Sequence, residues 1–172
     1  LDGVVLFAGP ALDPDSGINL FAFPAADGTF LGAQQLSSYS NIRKFIVADG
    51  ELYAGVGTYD TNDSGRILRW TGNSASPFLF EEVGIVASSV AELATHDGRL
   101  FVTTWPDGVA PGSAVAGLYM SPVLPANGLP AVSTGDTSWE QVWSVTDYEA
   151  DPITAATYGG GALASYGGYL FW

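Results

Sequence analysis

Residues 43–53 read RKFIVADGELY, an apolar run that meets an Asp-Gly pair and continues into a second strand-like run. An Asp-Gly pair between two such runs predicts a two-residue β-hairpin, because a type I′ turn needs positive φ at both central positions. Similar turns lie at residues 2–3, 97–98 and 167–168, and each leads into a run that contains an aromatic residue. The chain is therefore predicted to be built from repeated β-hairpins.

The repeated turns are regularly spaced along the chain. Their last glycines, Gly3, Gly50, Gly98 and Gly168, are 47, 48 and 70 residues apart. Strand candidates that begin with glycine follow the first three hairpins at residues 17–21, 65–70 and 117–120, and another strand candidate follows each at residues 30–36, 78–83 and 139–143. Each complete unit is thus predicted to hold four short strands in about 40–50 residues.

Four-stranded units of this length resemble the blades of β-propeller repeat proteins. The resemblance implies an all-β fold, a partial β-propeller of about three and a half four-stranded blades that is truncated at both ends. The units fall roughly at residues 1–40, 41–86 and 87–150, with residues 151–172 as an incomplete unit. Propellers have about 4–8 blades, so further blades, from the same polypeptide or from another chain, are expected to close the fold.

Two other all-β architectures are the alternatives to a propeller. A β-sandwich has short strands at similar intervals, but this architecture does not require a glycine turn and its following aromatic strand to recur at a fixed spacing. A β-solenoid would repeat at a shorter period. Residues 122–137, which are rich in proline and glycine, are predicted to be a loop inserted into the third unit.

A second resemblance concerns residues 133–139, which read STGDTSW and are followed by Val142. They resemble the Asp-box turn of sialidase-type propellers, without the glycine that this turn has between its aspartate and its aromatic residue. The resemblance implies an alternative function, in which the chain is a segment of a propeller enzyme acting on carbohydrate, sialidase- or glycosidase-like. The main residues of such an enzyme would lie outside this chain.

The composition excludes several classes of partner. Acidic residues number 18 against 5 basic ones, which gives a formal net charge of −13, so nucleic acid is not an expected partner. No apolar run approaches the length of a membrane span, so no membrane insertion is expected. The absence of cysteine excludes disulfides and thiolate metal sites. An acidic, aromatic and glycine-rich chain of this kind favours a secreted or cell-surface protein, with a protein or a glycan as its partner.

Candidate catalytic residues are few. His96 is the only histidine, and because it precedes a hairpin turn it is predicted to be exposed rather than to act as a catalytic base. Glu81 and Glu82 are adjacent on a predicted strand, so they point to opposite faces and are not a catalytic pair. The acidic residues at 147, 149 and 151 are predicted to lie in a solvated loop, with a shared face on an extended strand as the alternative.

Two acidic loops occupy equivalent places in successive units. Asp13 and Asp15 precede one glycine-initiated strand, and Asp60, Asn62 and Asp63 precede the next. Calcium takes about six to eight oxygen ligands, and short loops rich in Asp and Asn supply them. These five residues are therefore candidate Ca²⁺ ligands, with ordinary turn formation as the alternative. The sequence predicts no other cofactor.

Nine aromatic residues at or near strand positions are predicted to pack between blades, with a sugar-stacking platform as the alternative. They are Tyr53, Trp70, Phe101, Trp105, Tyr119, Trp139, Trp143, Tyr169 and Trp172. The glycines at 159–161 lack the lysine of a phosphate-binding loop and are predicted to allow close backbone packing. The function predicted from these observations is a binding or structural module with no catalytic site in this segment.

Overall fold

A computed structural model describes residues 3–10, 17–24, 26–59, 64–108, 113–133 and 138–172. In chain order the strands are β1 (Val4–Pro10), β2 (Ile18–Pro24), β3 (Gly32–Leu36), β4 (Tyr39–Ala48), β5 (Glu51–Thr58), β6 (Gly65–Trp70), β7 (Phe80–Val86), β8 (Val90–His96), β9 (Arg99–Thr104), β10 (Gly117–Met120), β11 (Glu140–Ser144), β12 (Ala164–Tyr166) and β13 (Tyr169–Phe171). A single 3-10 turn, Val145–Asp147, and a one-turn helix, α1 (Pro152–Ala155), interrupt them in the described part of the chain. The fold is all-β, as predicted.

The strands form four antiparallel sheets, and each sheet contains only strands that are consecutive in the chain. The first sheet has the order β1-β2-β3, the second β4-β5-β6-β7, the third β8-β9-β10-β11, and the fourth β12-β13. Every sheet is therefore an up-and-down antiparallel meander.

The predicted hairpins are present where the structure describes them. Asp49 and Gly50 join β4 to β5 with φ of 48° and 84°, and Asp97 and Gly98 join β8 to β9 with φ of 46° and 69°. The positive values at both positions are those that a two-residue turn of this kind requires. Residues 167–168 join β12 to β13 in the same way.

Some strand boundaries differ from the predicted ones. The strand predicted at residues 78–83 begins at Phe80 and continues to Val86, where it pairs with Gly65 of β6. The strand entering the last hairpin begins only at Ala164, because Gly161 has a φ of 66° and breaks the extended backbone before it. The boundary of β7 is therefore set by its pairing with β6, which the local sequence does not reveal.

Consecutive sheets pack face to face. Strand β2 packs against β4, strands β4 and β5 pack against β8, and β8 packs against β12. Along β5, Tyr53 points into the layer shared with the third sheet and Ala54 into the opposite layer, as the two-residue period of a strand requires. The layer between the second and third sheets is the largest, with Tyr53, Ile67, Val83, Leu93, Leu100, Val102, Tyr119, Leu129 and Trp139 among its buried residues.

Glycines allow the closest approaches between sheets. A Cβ on Gly55 would lie 2.4 Å from Cγ1 of Val90, so the backbone of β5 directly contacts the side chains of β8. A Cβ on Gly160 would lie 2.4 Å from Cβ of Ala91. The prediction of close backbone packing at residues 159–161 is thus confirmed at Gly160.

The insertion in the third unit contains no strand between residues 121 and 133, as predicted for a loop. It nevertheless packs against the second sheet. Leu129 is buried and its N–H donates to the hydroxyl of Tyr53, while the N–H of Val132 donates to the carbonyl of Glu82 at 2.8 Å. Helix α1 has a single turn, and the described part of the chain contains no helix that could span a membrane.

Candidate functional site

Two cavities adjoin each other beside the third sheet. The first, called here the Arg43 cleft, has a volume of about 350 Å³ and is lined by Asn41, Arg43, Ser88, Ser89, Trp105, Pro106 and Asp107. The second, called here the aromatic pocket, has a volume of about 310 Å³ and is lined by Ala116, Trp143, Val145, Tyr158, Gly159 and Trp172. Gly159 connects them, because a Cβ on it would lie 2.5 Å from the indole of Trp105.

Irregular pairing in β4 accompanies the cleft. The register of β4 against β5 shifts between Tyr39 and Asn41 and again between Ile42 and Lys44, and each shift adds a residue to one strand. Such bulges change the direction of nearby side chains and are common beside functional sites. The cleft residues Asn41 and Arg43 lie at these irregular positions.

The guanidinium of Arg43 lies 5.3 Å from the ring centroid of Trp105, which is a cation–π distance. The backbone N–H of Trp105 donates to the backbone carbonyl of Ser89 at 2.9 Å. This bond joins the start of the loop after β9 to the turn before β8. Arg43 is exposed and forms no ion pair with any carboxylate of the described residues. Its hydrogen-bond donors are therefore open to a ligand.

The other cations of the second sheet are engaged by carboxylates. Lys44 pairs with Glu92 at 2.7 Å, Arg66 with Glu82 at 3.4 Å, and Arg69 with Glu81 at 2.9 Å. Arg43 therefore differs from these three residues because no described carboxylate pairs with it.

A second polar group of the cleft lacks a partner. The Oδ1 atom of Asn41 is buried and accepts no hydrogen bond in the described structure, while its Nδ2 donates to Oγ of Ser40 at 3.1 Å. Buried acceptors are almost always hydrogen-bonded in folded proteins. The unsatisfied Oδ1 atom is thus a buried polar group at the irregular part of β4.

The aromatic pocket is built from three rings. The indoles of Trp143 and Trp172 are nearly perpendicular, at 87°, with centroids 4.4 Å apart. The ring of Tyr158 completes the lining and meets Tyr148 edge-on at 6.2 Å. One hydrogen bond fixes the indole of Trp172 in this lining, because its Nε1–H donates to the carbonyl of Gly160.

The aromatic residues predicted to pack between blades divide into groups. Tyr53, Trp70, Phe101, Tyr119 and Trp139 are buried between sheets, which confirms the prediction of packing for them. Three others, Trp105, Trp143 and Trp172, line the two cavities. Tyr169 is exposed.

The five candidate calcium ligands, Asp13, Asp15, Asp60, Asn62 and Asp63, lie outside the described residues, and calcium binding stays a prediction. In the part of the chain that the structure describes, no three histidine or acidic residues are close enough together to hold a metal ion. The Asp-box resemblance falls largely on residues 134–137, which also lie outside the described residues.

His96 lies at the hairpin turn as predicted, but it is partly buried rather than simply exposed. Its Nδ1 atom is 2.9 Å from Oγ of Ser165, and its ring meets Phe101 edge-on at 5.9 Å. The contact joins the third sheet to β12, because that strand packs beside β8.

Glu81 and Glu82 have separate partners. Oε2 of Glu81 pairs with Arg69, and Oε1 of Glu82 accepts a hydrogen bond from the hydroxyl of Tyr39 at 2.9 Å. Burial, reinforced by the charge of Glu82, raises the pKa of Tyr39 well above its usual range. The two adjacent carboxylates thus contact different side chains.

The acidic residues after Trp143 cap local turns. The Asp147 carboxylate accepts from the N–H of Ser144 at 2.8 Å, and the Asp151 carboxylate accepts from the N–H of Thr154 at 2.8 Å. The latter hydrogen bond lowers the pKa of Asp151. Asp147 and Asp151 are exposed, Glu149 is half-buried, and none of the three lies on an extended strand, so the predicted loop is confirmed.

No family model matches the chain, and no curated protein sequence matches it. The chemistry of the two cavities is therefore the basis for the function. Sequence reasoning missed Arg43 and Asn41 as site residues. The available signal was that Arg43 is one of only five basic residues in a strongly acidic chain.

Proposed function

We propose that the chain is a segment of a secreted or cell-surface β-propeller that binds a glycan carrying a carboxylate group in the Arg43 cleft. The architectural part of the proposal is a propeller of about three and a half blades in this segment, closed by further blades. Its support is that the sheets are meanders of consecutive strands and that each packs on the face of the next, as propeller blades do.

The observation that carries the ligand proposal is that Arg43 has no ion-pair partner among the described residues. Its guanidinium is held over Trp105 and forms no ion pair with a described carboxylate. A guanidinium presents parallel N–H donors that match both oxygens of a carboxylate, and a charge-assisted pair of this kind is among the stronger hydrogen-bonded contacts. The ligand is therefore expected to present its carboxylate to Arg43.

The rest of the cleft suits the hydroxyl groups of a sugar. Ser89 offers a hydroxyl that both donates and accepts, and Ser88 and Asn41 complete the polar lining. Few, fixed polar groups in a concave site are typical of small-molecule recognition. The net charge of −13 repels anions at long range, but salt screens exposed charges beyond about 8 Å at physiological ionic strength.

The proposal requires no cofactor. The alternative, a carbohydrate-cleaving propeller, stays a prediction, since no observation in the described residues favours it. Calcium binding by the two acidic loops is a separate prediction. Thermal unfolding with and without millimolar Ca²⁺ tests it, because an ion selective for the native state raises the melting temperature.

The test is a titration of the chain with a glucuronate-containing disaccharide and with the matching glucose disaccharide, followed by calorimetry. We expect the acidic sugar to bind and Arg43→Gln to weaken it by about tenfold or more, in keeping with loss of a charge-assisted contact. Lys44→Gln is the matched control, because it removes the same charge one residue away. Equal binding of both sugars, or equal affinity of both variants, would contradict the proposal. Release of new reducing ends would favour the enzyme instead.

A further inference from the structure

The aromatic pocket differs chemically from the Arg43 cleft beside it. Three of its six lining residues are aromatic, namely Trp143, Tyr158 and Trp172, and the others are Ala116, Val145 and Gly159. None of these side chains carries a charge, and the indole N–H of Trp172 already donates to a backbone carbonyl. We propose that this pocket binds the quaternary ammonium group of a small organic cation.

The arrangement of the rings is the first reason. The faces of aromatic rings carry negative electrostatic potential, and cations within about 6 Å of a ring centroid are attracted to it. Trp143 and Trp172 pack edge to face, at 87° with centroids 4.4 Å apart, and both line the pocket. Tyr158 adds a third aromatic wall. Several ring surfaces around one cavity are the arrangement that recognises quaternary ammonium groups.

The second reason is that the pocket has few hydrogen-bonding side chains: besides the engaged indole of Trp172, only the hydroxyl of Tyr158 and the indole N–H of Trp143. A carboxylate, a sugar or a primary ammonium loses its hydrogen bonds to water on entering such a pocket, and the loss is costly when nothing replaces them. A quaternary ammonium group has no N–H to satisfy. It is therefore the charged group that enters an aromatic pocket at the lowest cost in lost hydrogen bonds.

Charge complementarity is the third reason. The segment that leaves the pocket at Val145 continues directly into three carboxylates, of which Asp147 and Asp151 are exposed and Glu149 is half-buried. Each carboxylate accepts a backbone hydrogen bond within this segment, and the bond from the N–H of Thr154 lowers the pKa of Asp151. Carboxylates that follow the pocket wall within a few residues attract a cation locally.

The pocket is also held in shape before any ligand arrives. The N–H of Val145 donates to the carbonyl of Ala116 at 3.0 Å, and Trp172 is tied to the backbone at Gly160. Gly159 leaves no room for a side chain, since its Cβ would lie 2.5 Å from Trp105. A preorganised site avoids part of the ordering cost of binding. Its volume of about 310 Å³ lies at the lower end of the usual range for ligand pockets, so a small cation is the expected occupant.

The test compares choline with 3,3-dimethylbutan-1-ol, a neutral molecule of almost the same shape. Binding is followed through the indole N–H resonances of Trp143 and Trp172 in NMR spectra of the chain. We expect choline to shift both resonances and to bind about tenfold or more tightly than the neutral alcohol, because only the cation gains the attraction of the ring faces. Equal affinity for the two molecules would overturn the proposal, and so would shifts confined to other tryptophans.

Variants separate this site from the glycan site. Trp172→Leu is expected to weaken choline binding by about tenfold. Tyr169→Leu, which removes an exposed ring from the same hairpin, is expected to leave it unchanged. Arg43→Gln is expected to leave choline binding intact while it reduces sugar binding, so either proposal can fail alone. Unchanged choline affinity in Trp172→Leu would overturn this one. If Trp172→Leu does not fold, the comparison of choline with its neutral analogue on the unaltered chain still tests whether the pocket selects the cation.

The quaternary ammonium group could belong to a free cation or to a lipid headgroup, and a further arm distinguishes these sources. Phosphatidylcholine vesicles are mixed with the chain and sedimented. Co-sedimentation that Trp172→Leu abolishes assigns the group to a lipid, whereas choline binding without co-sedimentation assigns it to a free cation. Both results support the proposed chemistry. Co-sedimentation that Trp172→Leu leaves unchanged, in the absence of choline binding, contradicts it.

Discussion

The indole N–H of Trp139 donates to the backbone carbonyl of Val83 at 2.9 Å, across the boundary between the second and third sheets. Both residues are buried. The next residue, Gly84, leaves space for the indole, because a Cβ there would lie 2.3 Å from Nε1 of Trp139. A hydrogen bond and a close packing contact thus join β7 to the segment that enters β11.

Trp139→Phe removes this hydrogen bond and leaves a smaller ring in the same layer. We expect the free energy of unfolding to fall by about 2–3 kcal/mol, since the Val83 carbonyl loses its indole donor and the layer gains a cavity. Urea unfolding followed by far-UV circular dichroism measures the change. Tyr148→Phe, at an exposed ring, is the control and is expected to change stability by less than about 0.5 kcal/mol. Equal stability of the two variants would contradict the assigned contact.

Gly55→Ala tests the closest approach between β5 and β8. The added methyl group would lie 2.4 Å from Cγ1 of Val90 and 2.5 Å from Cδ1 of Leu93, so one of the two sheets must move. A loss of about 1–3 kcal/mol is expected from overpacking. Gly9→Ala is the matched control, because its methyl group would meet only side-chain atoms at 3.8 Å. Both variants are compared by urea unfolding, and a neutral effect of Gly55→Ala would argue against direct contact of the sheets.

Leu129→Ala tests whether the loop of the third unit is part of the core. Leu129 is 2% exposed and lies in the layer with Tyr53, so truncation is expected to cost about 2–4 kcal/mol. Val123→Ala, in the same loop at 60% exposure, is expected to cost less than about 0.5 kcal/mol. Thermal unfolding of the two variants provides the comparison. Similar melting temperatures would mean that the loop is not anchored.

The hairpins could be predicted from sequence because their signal is local. Asp49 and Asp97 adopt positive φ before a glycine, and this conformation depends on two adjacent residues rather than on the rest of the fold. The packing of the loop could not be predicted in the same way. Leu129 contacts Tyr53, which lies 76 positions away in the sequence, and nothing in the intervening residues signals that pairing.

The site was harder to predict than the fold for a related reason. Trp105, Trp143 and Trp172 were recognised as aromatic residues, but sequence does not distinguish a ring buried between sheets from one that lines a cavity. The role proposed for Arg43 was harder still to predict, because it depends on the absence of a nearby carboxylate in the folded chain. Lys44, its neighbour, has such a partner in Glu92, and only the packing of β4 beside β8 separates the two cases.

Alkaline pH should destabilise the fold through Tyr39. Burial first, and then the nearby charge of Glu82, raises the pKa of this phenol above its ordinary value of 10.0. Above about pH 10 the unfolded chain therefore binds fewer protons than the folded chain, and the free energy of unfolding falls as pH rises. The stabilising effect is fully present below that pH.

Tyr39→Phe isolates this contribution, because the other tyrosines are common to both proteins. At about pH 8 the variant is expected to be less stable than the original chain by about 1 kcal/mol, since the hydrogen bond to Glu82 is lost. At about pH 11 the difference should shrink or reverse, because the original chain alone has lost stability through Tyr39. Urea unfolding at the two pH values measures the difference. A gap that stays constant between them would show that the Tyr39 hydroxyl titrates alike in the folded and unfolded states, against the buried contact with Glu82.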